Sequence, residues 1–305
     1  MPGRRAISLR PLDSGPCAAD DIGRTGAAGV TLELASIRHI FSGRDMHIFP
    51  CLTIALALCA AGNAAAAPLR LCYEDVALSP WTAPDGSGLN FNVLRRVQER
   101  LAEQFDFVPL PWKRCLEEVR VGHMDGVFAA ADTPERRLFS VAPTLPDGHA
   151  DPRAALYSDT FNVYLRNGSG ASWNGKDLLA PRGRVVVPRG YFLAGLLRER
   201  GVEVNEAVKT SEEGLRMLAN GIADAAVLQG RDAEWLAAND PRFRGLISEA
   251  ATPYVVMPLY LLIGRKAYDS DPKRALAIWE EIRAVLLTPE YKKLEADAMK
   301  RLSRE

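Results

Sequence analysis

The fold turns on Gly122–Arg137, GHMDGVFAAADTPERR. Gly122 suits the position just past a helix C-terminus, where the backbone needs a positive φ. Val127, Phe128, Ala129 and Ala130 form a short apolar run, fit for a parallel strand covered on both faces. Asp132, Thr133, Pro134 and Glu135 then supply an N-cap, a proline and an acid in a first helical turn. The stretch reads as helix end, buried strand and helix start, with the turn at Asp132–Arg136 on the C-terminal edge of a parallel sheet. Open α/β sheets bind ligands at that edge. The plainer alternative is an ordinary βα unit with a solvated arginine.

Upstream, Leu69–Tyr73 (LRLCY) reads as a first strand. Phe91, Leu94, Val97 and Leu101 recur at helical spacing near residues 90–104. Phe105–Leu110 (FDFVPL) is a second strand, and Pro111 opens a helix through Trp112, Cys115, Leu116 and Val119. This βαβαβ order implies a parallel sheet with right-handed crossovers. If the first strand lies between the second and third, the helix joining those two crosses over it. Cys115 then faces Cys72, and the expectation is a disulfide tying helix to sheet; two buried thiols are the alternative.

Downstream, Leu156–Tyr164 is extended and Asn167–Gly175 is a turn-rich break. A second set follows: strand at Arg184–Val187, helix at Gly190–Arg200, strand at Val202–Asn205, helix at Ser211–Asn220 and strand at Ile222–Leu228. Shifting the chain by 99 positions puts Leu116 on Leu215, Val119 on Leu218, Gly122 on Gly221 and Asp125 on Asp224. With the element order repeated as well, two similar lobes are expected. Tyr254–Ile263 returns as a long extended segment, and two helices starting at Asp271-Pro272 and Thr288-Pro289 close the chain. Two extended segments bracket the second lobe, a hinge arrangement with a cleft between lobes.

The chain has 305 residues, room for about two domains of about 150 residues each. Lys+Arg and Asp+Glu both number 38, so no global charge draws it to nucleic acid, and no nucleic-acid partner is expected. His39, His47, His123 and His149 are widely spread and give no metal-ligand spacing. No hydrolase, zinc-protease or nucleotide-loop string occurs. Neither cofactor nor metal is expected. Leu52–Ala61 (LTIALALCAA), followed by Ala64–Ala67, has the length and small residues of a signal-peptide core and cleavage site. Residues 46–67 are read as a signal peptide and 1–45 as a disordered extension or a mis-set start. Export leaves Cys72 and Cys115 as an even pair in an oxidising compartment.

The ordered set LRLCYED…SPW, GLNFNVLRRV, FVPLPWKRCLEEVRVGHMDGVFAAADTPERR, GRVVVPRGY, NGIADAAVL and PLYLLIGRK resembles family three of the bacterial extracellular solute-binding proteins. These are the polar amino-acid type of periplasmic binding protein, and the likeness covers Pro68 to about Arg301. It implies an α/β, type II two-lobed fold, each lobe a mostly parallel sheet flanked by helices, with a two-strand hinge. The expected lobes are 68–158 with 260–305, and 159–259. The resemblance further implies that Arg136 clamps a ligand carboxylate, a task suited to a guanidinium fork. Asp132 and Thr133 would lie beside it at a helix N-terminus. Trp81 and Trp112 resemble cleft walls, with core aromatics the alternative, and Gly190 and Tyr191 would present backbone N–H groups from the second lobe.

One departure stands out. Where amino-acid binders of this type commonly carry an aspartate for the α-ammonium, this chain has Gln229. An amide does not neutralise an ammonium; Glu74 or Asp75 would have to supply charge from the first lobe. The resemblance implies a monomeric periplasmic protein, not an enzyme, that closes on a small polar, carboxylate-bearing solute and delivers it to an ABC permease. The alternatives are a periplasmic dehydratase of the cyclohexadienyl type and a ligand-sensing partner of a membrane receptor.

Overall fold

The structure is a computed structural model that describes residues 67–302. The expected extension and the signal segment through residue 66 lie outside the described residues. The first half follows the βαβαβ reading: β1 (Leu69–Glu74), α1 (Leu89–Leu101), β2 (Phe105–Leu110), α2 (Trp112–Arg120) and β3 (Gly126–Ala131). β1 pairs in parallel with β2 on one side and β3 on the other. A one-turn helix α3 (Pro134–Arg137) and a short strand β4 (Ser140–Val141) follow. The ten-residue strand β5 (Tyr157–Arg166) then leads into the second half.

That half opens with a small hairpin, β6 (Ser172–Trp173) and β7 (Leu178–Leu179). It continues through β8 (Val185–Pro188), α4 (Leu193–Glu199), β9 (Val204–Val208), α5 (Ser211–Ala219), β10 (Ala225–Gln229), α6 (Arg231–Asn239) and β11 (Ile247–Glu249). The chain returns through β12 (Val255–Gly264) and ends in α7 (Arg265–Ser270), α8 (Pro272–Leu286) and α9 (Pro289–Leu302). The sheet order is β2-β1-β3-β12-β5-β10-β8-β9, with β4 on β12 and β11 on β5. β12 and β5, antiparallel to each other, join two parallel three-stranded halves.

The repeat seen in the sequence is a repeat of backbone. α2 and α5 are offset by 99 positions at both ends. Gly122 has φ 78° and Gly221 φ 68°. Each helix closes with the same pair of bonds: Gly122 and His123 N–H donate to Val119 and Glu118 carbonyls, Gly221 and Ile222 N–H to Leu218 and Met217 carbonyls. Just before the next strand comes an aspartate whose own N–H donates to a backbone carbonyl at the neighbouring strand, Asp125 to Arg70 and Asp224 to Arg184.

Cys72 on β1 and Cys115 on α2 are bonded, with Cα atoms 5.7 Å apart. The crossing of α2 over β1 brings them together. α8 buries Ala275, Ile278, Trp279, Ile282 and Val285, the face its spacing predicts, and the Trp279 indole donates to Leu261 O at 2.9 Å. Each large apolar side chain so buried contributes about 1.5–3 kcal/mol. Several boundaries differ from the sequence reading. The helix expected from Gly190 begins at Leu193, because Gly190 (φ 81°) and Tyr191 form a turn first. α6 was not expected: its buried residues are only Ala233 and Ala237, too small to print an apolar stripe.

Candidate functional site

The C-terminal edges of β1, β3 and β10 meet around one cavity, to which both lobes contribute. Glu74 comes from the end of β1, Trp112 from the start of α2 and Arg136 from α3. Phe161, Tyr191 and Gln229 come from the second half of the chain. The lobes meet so closely that the cavity volume is about 20 Å³, room for one water. A second, solvent-open cleft of about 1010 Å³ shares Leu78, Tyr191 and Gln229 with it and extends to Lys209, Arg231 and Asp232.

Local structure explains how Arg136 gets there. The Thr133 hydroxyl accepts the Arg136 N–H at 3.3 Å and starts the turn. The side chain then folds back over the strand end and donates from one terminal nitrogen to Ala131 O at 2.9 Å. Its guanidinium carbon lies 5.1 Å from the Trp112 ring centre. Arg136 is 4% exposed, and burial lowers its pKa to about 10, so it stays charged at neutral pH. Behind it, two residues of β3 oppose one of β12, a bulge that gives Ala129 a φ of 59° on the cavity wall. Left-handed backbone at a residue with a side chain costs about 1–2 kcal/mol, and such strain concentrates at binding sites.

Glu74 is 7% exposed and accepts the Tyr191 hydroxyl at 2.8 Å, a bond from the second lobe to the first. Burial pushes its pKa up to about 7; Asp75 adds to this, while Tyr191, Lys209 and Arg136 oppose it. Further contacts run between the lobes: Lys209 donates to the Asp75 carboxylate at 2.9 Å, and Lys113 approaches Glu206 at 3.6 Å. A Cβ on Gly190 would sit 2.5 Å from Lys113 Cγ, so only glycine fits where the lobes touch.

Of the residues singled out in the sequence, Glu74, Trp112, Arg136, Tyr191 and Gln229 share the cavity. The others do not line it. Trp81 stacks on Tyr157 at 4.1 Å within the core of the first half. Asp132 turns away to a bidentate pair with Arg137, and Thr133 is used as a cap. The Gly190 N–H donates to Glu206 at 3.0 Å. Sequence reasoning missed Asp159, whose carboxylate accepts the Gln229 amide at 2.7 Å and whose pKa is raised by burial. Its signal was the alternation of β5: Asp159 lies on the buried face with Tyr157, Phe161 and Val163.

No family model matches the chain, and no curated protein does. Solved structures do. The chain is similar to the GluR0 ligand-binding core from Nostoc punctiforme in complex with L-glutamate, at 18% identity and a TM-score of 0.57, over 74% of this chain and 97% of that one. It is similar to a histidine kinase sensor domain with similarity to periplasmic binding proteins, at 15% and 0.59, over 76% and 95%. A third likeness is to the ancestral amino acid-binding protein AncCDT-1, a precursor of cyclohexadienyl dehydratase, at 18% and 0.56, over 75% and 94%. The fold is the two-lobed periplasmic binding protein fold. Among the described residues no helix is long and apolar enough to cross a membrane.

Proposed function

We propose that the chain is an exported solute-binding protein that closes its lobes, 68–158 with 260–305 and 159–259, on a small polar solute bearing a carboxylate. The observation that carries this reading is Arg136: a buried guanidinium between two lobes, with one hydrogen bond among the described residues and an aromatic face beneath it. A charge taken from water needs a partner, and a ligand carboxylate supplies one. Contacts made from both lobes favour the closed state over the open one. Similarity to proteins that hold L-glutamate or are named for amino-acid binding supports the solute class. Delivery to an ABC permease in the periplasm, by a monomer, completes the reading.

Native mass spectrometry of protein purified from periplasm tests it by identifying a co-purified solute. Arg136→Ala is expected to weaken binding of that solute about tenfold to a hundredfold, the range for hydrogen bonds to a charged group. Unchanged affinity removes Arg136 from the site. A second reading has one observation in its favour: a carboxyl titrating near about 7 inside a closed cleft, as Glu74 does, suits a general acid of a dehydratase. Product appearing with time from a cyclohexadienyl acid would favour it.

A further inference from the structure

Two buried groups of opposite charge face the same cavity, and each keeps atoms without a hydrogen-bond partner among the described residues. Beyond the bond to Ala131 O, no other nitrogen of the Arg136 guanidinium donates to a described residue. Glu74 accepts Tyr191 on Oε2 and leaves Oε1 without a partner among the described residues. On the opposite side, the Gln229 amide nitrogen is already committed to Asp159 at 2.7 Å. The strand end of β10 therefore presents an amide held in place, not a carboxylate.

We propose that Glu74 holds the cationic end of a ligand whose carboxylate is held by Arg136, so that the first lobe meets both charges of a zwitterion. Tyr191 of the second lobe closes over the pair through its bond to Glu74. This rests on the solute-binding reading and departs from the layout that the resemblance implies, in which the cation is met from the second lobe. Charge complementarity favours it. A zwitterion neutralises both buried groups, whereas a 2-oxo acid would set an acceptor oxygen against Glu74.

The arrangement has a proton balance. The groups acting on Glu74 are Tyr191 and Lys209 from the second lobe, Asp75 just past the end of β1 and Arg136 on α3. Tyr157 on β5 is also electrostatically coupled to it, and the Glu74 charge helps hold that phenol protonated. With its pKa pushed up to about 7, Glu74 is protonated in part at neutral pH. An ammonium beside it favours the carboxylate, so the Glu74 carboxyl releases its proton to solvent, a fraction of a proton per ligand bound. A carboxylate ligand lacking the ammonium acts in the opposite sense and takes a proton up.

Titration calorimetry near neutral pH, in buffers of different ionisation enthalpy, reads this count directly. The probes are the standard L-amino acids and the corresponding 2-oxo acids. An L-amino acid is expected to bind with proton release. Glu74→Gln should weaken that binding at least about tenfold and abolish the release. Tyr191→Phe leaves Glu74 in place but more fully protonated, and should raise the number of protons released. Equal amino-acid affinity in Glu74→Gln overturns the proposal, as does an unchanged proton count in Tyr191→Phe should Glu74→Gln fail to fold. Binding of 2-oxo acids alone, with proton uptake, also overturns it and leaves the solute-binding reading standing. Binding of neither class, with no co-purified solute, removes that reading and this proposal with it.

Discussion

In the first lobe, α2 closes on Gly122 and passes through Asp125 into β3; 99 residues later, α5 closes on Gly221 and passes through Asp224 into β10. The backbone bonds match one for one, yet the two units end differently. β3 runs into Thr133, Pro134 and a one-turn helix that folds Arg136 back into the cleft. β10 runs into Gln229, Gly230 and a nine-residue helix, α6. The residue ending the first strand differs as well. Register places Cys72 of β1 with Val186 of β8, and hence Glu74 with Pro188. The repeated scaffold holds strand ends in place, and the chemistry lies in the few residues beyond them. Both charged groups that line the cavity belong to the first lobe.

Stabilisation is divided unequally too, and this gives the largest expected effect. The first lobe ties helix to sheet with Cys72–Cys115; the position equivalent to Cys115 is Gly214, which packs against Leu228 instead. Replacing both cysteines by alanine should cost about 4 kcal/mol on chain entropy for a loop of 43 residues. Urea unfolding measures it. A loss spread over both lobes, seen by hydrogen exchange, would break the idea that the bond serves the first lobe.

The next effect concerns Glu74 against Pro188. Glu74 has a folded pKa of about 7, above its ordinary 4.5. The folded state thus holds the proton more tightly, and the stability this gives is full below about pH 4.5 and lost as pH rises through about 7. The wild-type protein should lose about 3 kcal/mol relative to Glu74→Gln across that window. Parallel stability curves for the two proteins would contradict the burial argument. The smallest effect separates the two aspartates. Asp224 is fully buried and accepts both the backbone N–H and the guanidinium of Arg182, whereas Asp125 accepts one N–H from Arg70. Asp224→Ala should cost about 2 kcal/mol and Asp125→Ala about 1 kcal/mol; equal costs would make the repeat energetic as well as geometric.

What the sequence disclosed was mostly short-range. Gly122, Asp125 and Pro134 each act on neighbours a few residues away or on the adjoining strand, so their spacing carried the βα unit and the position of Arg136. The cysteine pair followed from topology. What stayed hidden depended on side-chain direction across the fold. Asp132 and Arg136 lie four residues apart, yet one turns out to Arg137 and the other into the cleft. Trp81 and Trp112 look alike in sequence, but the first is held by Tyr157 and the second lies beneath Arg136. Asp159 reaches the site through a hydrogen bond from Gln229, a residue 70 positions away.

The two crossing strands carry one more consequence. Ser158 on the way into the second lobe and Pro258 on the way out face each other across the β5–β12 ladder. The second lobe is therefore an insert in the topological sense: the chain leaves one body and re-enters it at adjoining points. A short turn joining those residues would close the first body over an unbroken strand order. The same geometry lets that insert be exchanged for another lobe without moving the arginine or the glutamate that line the cavity.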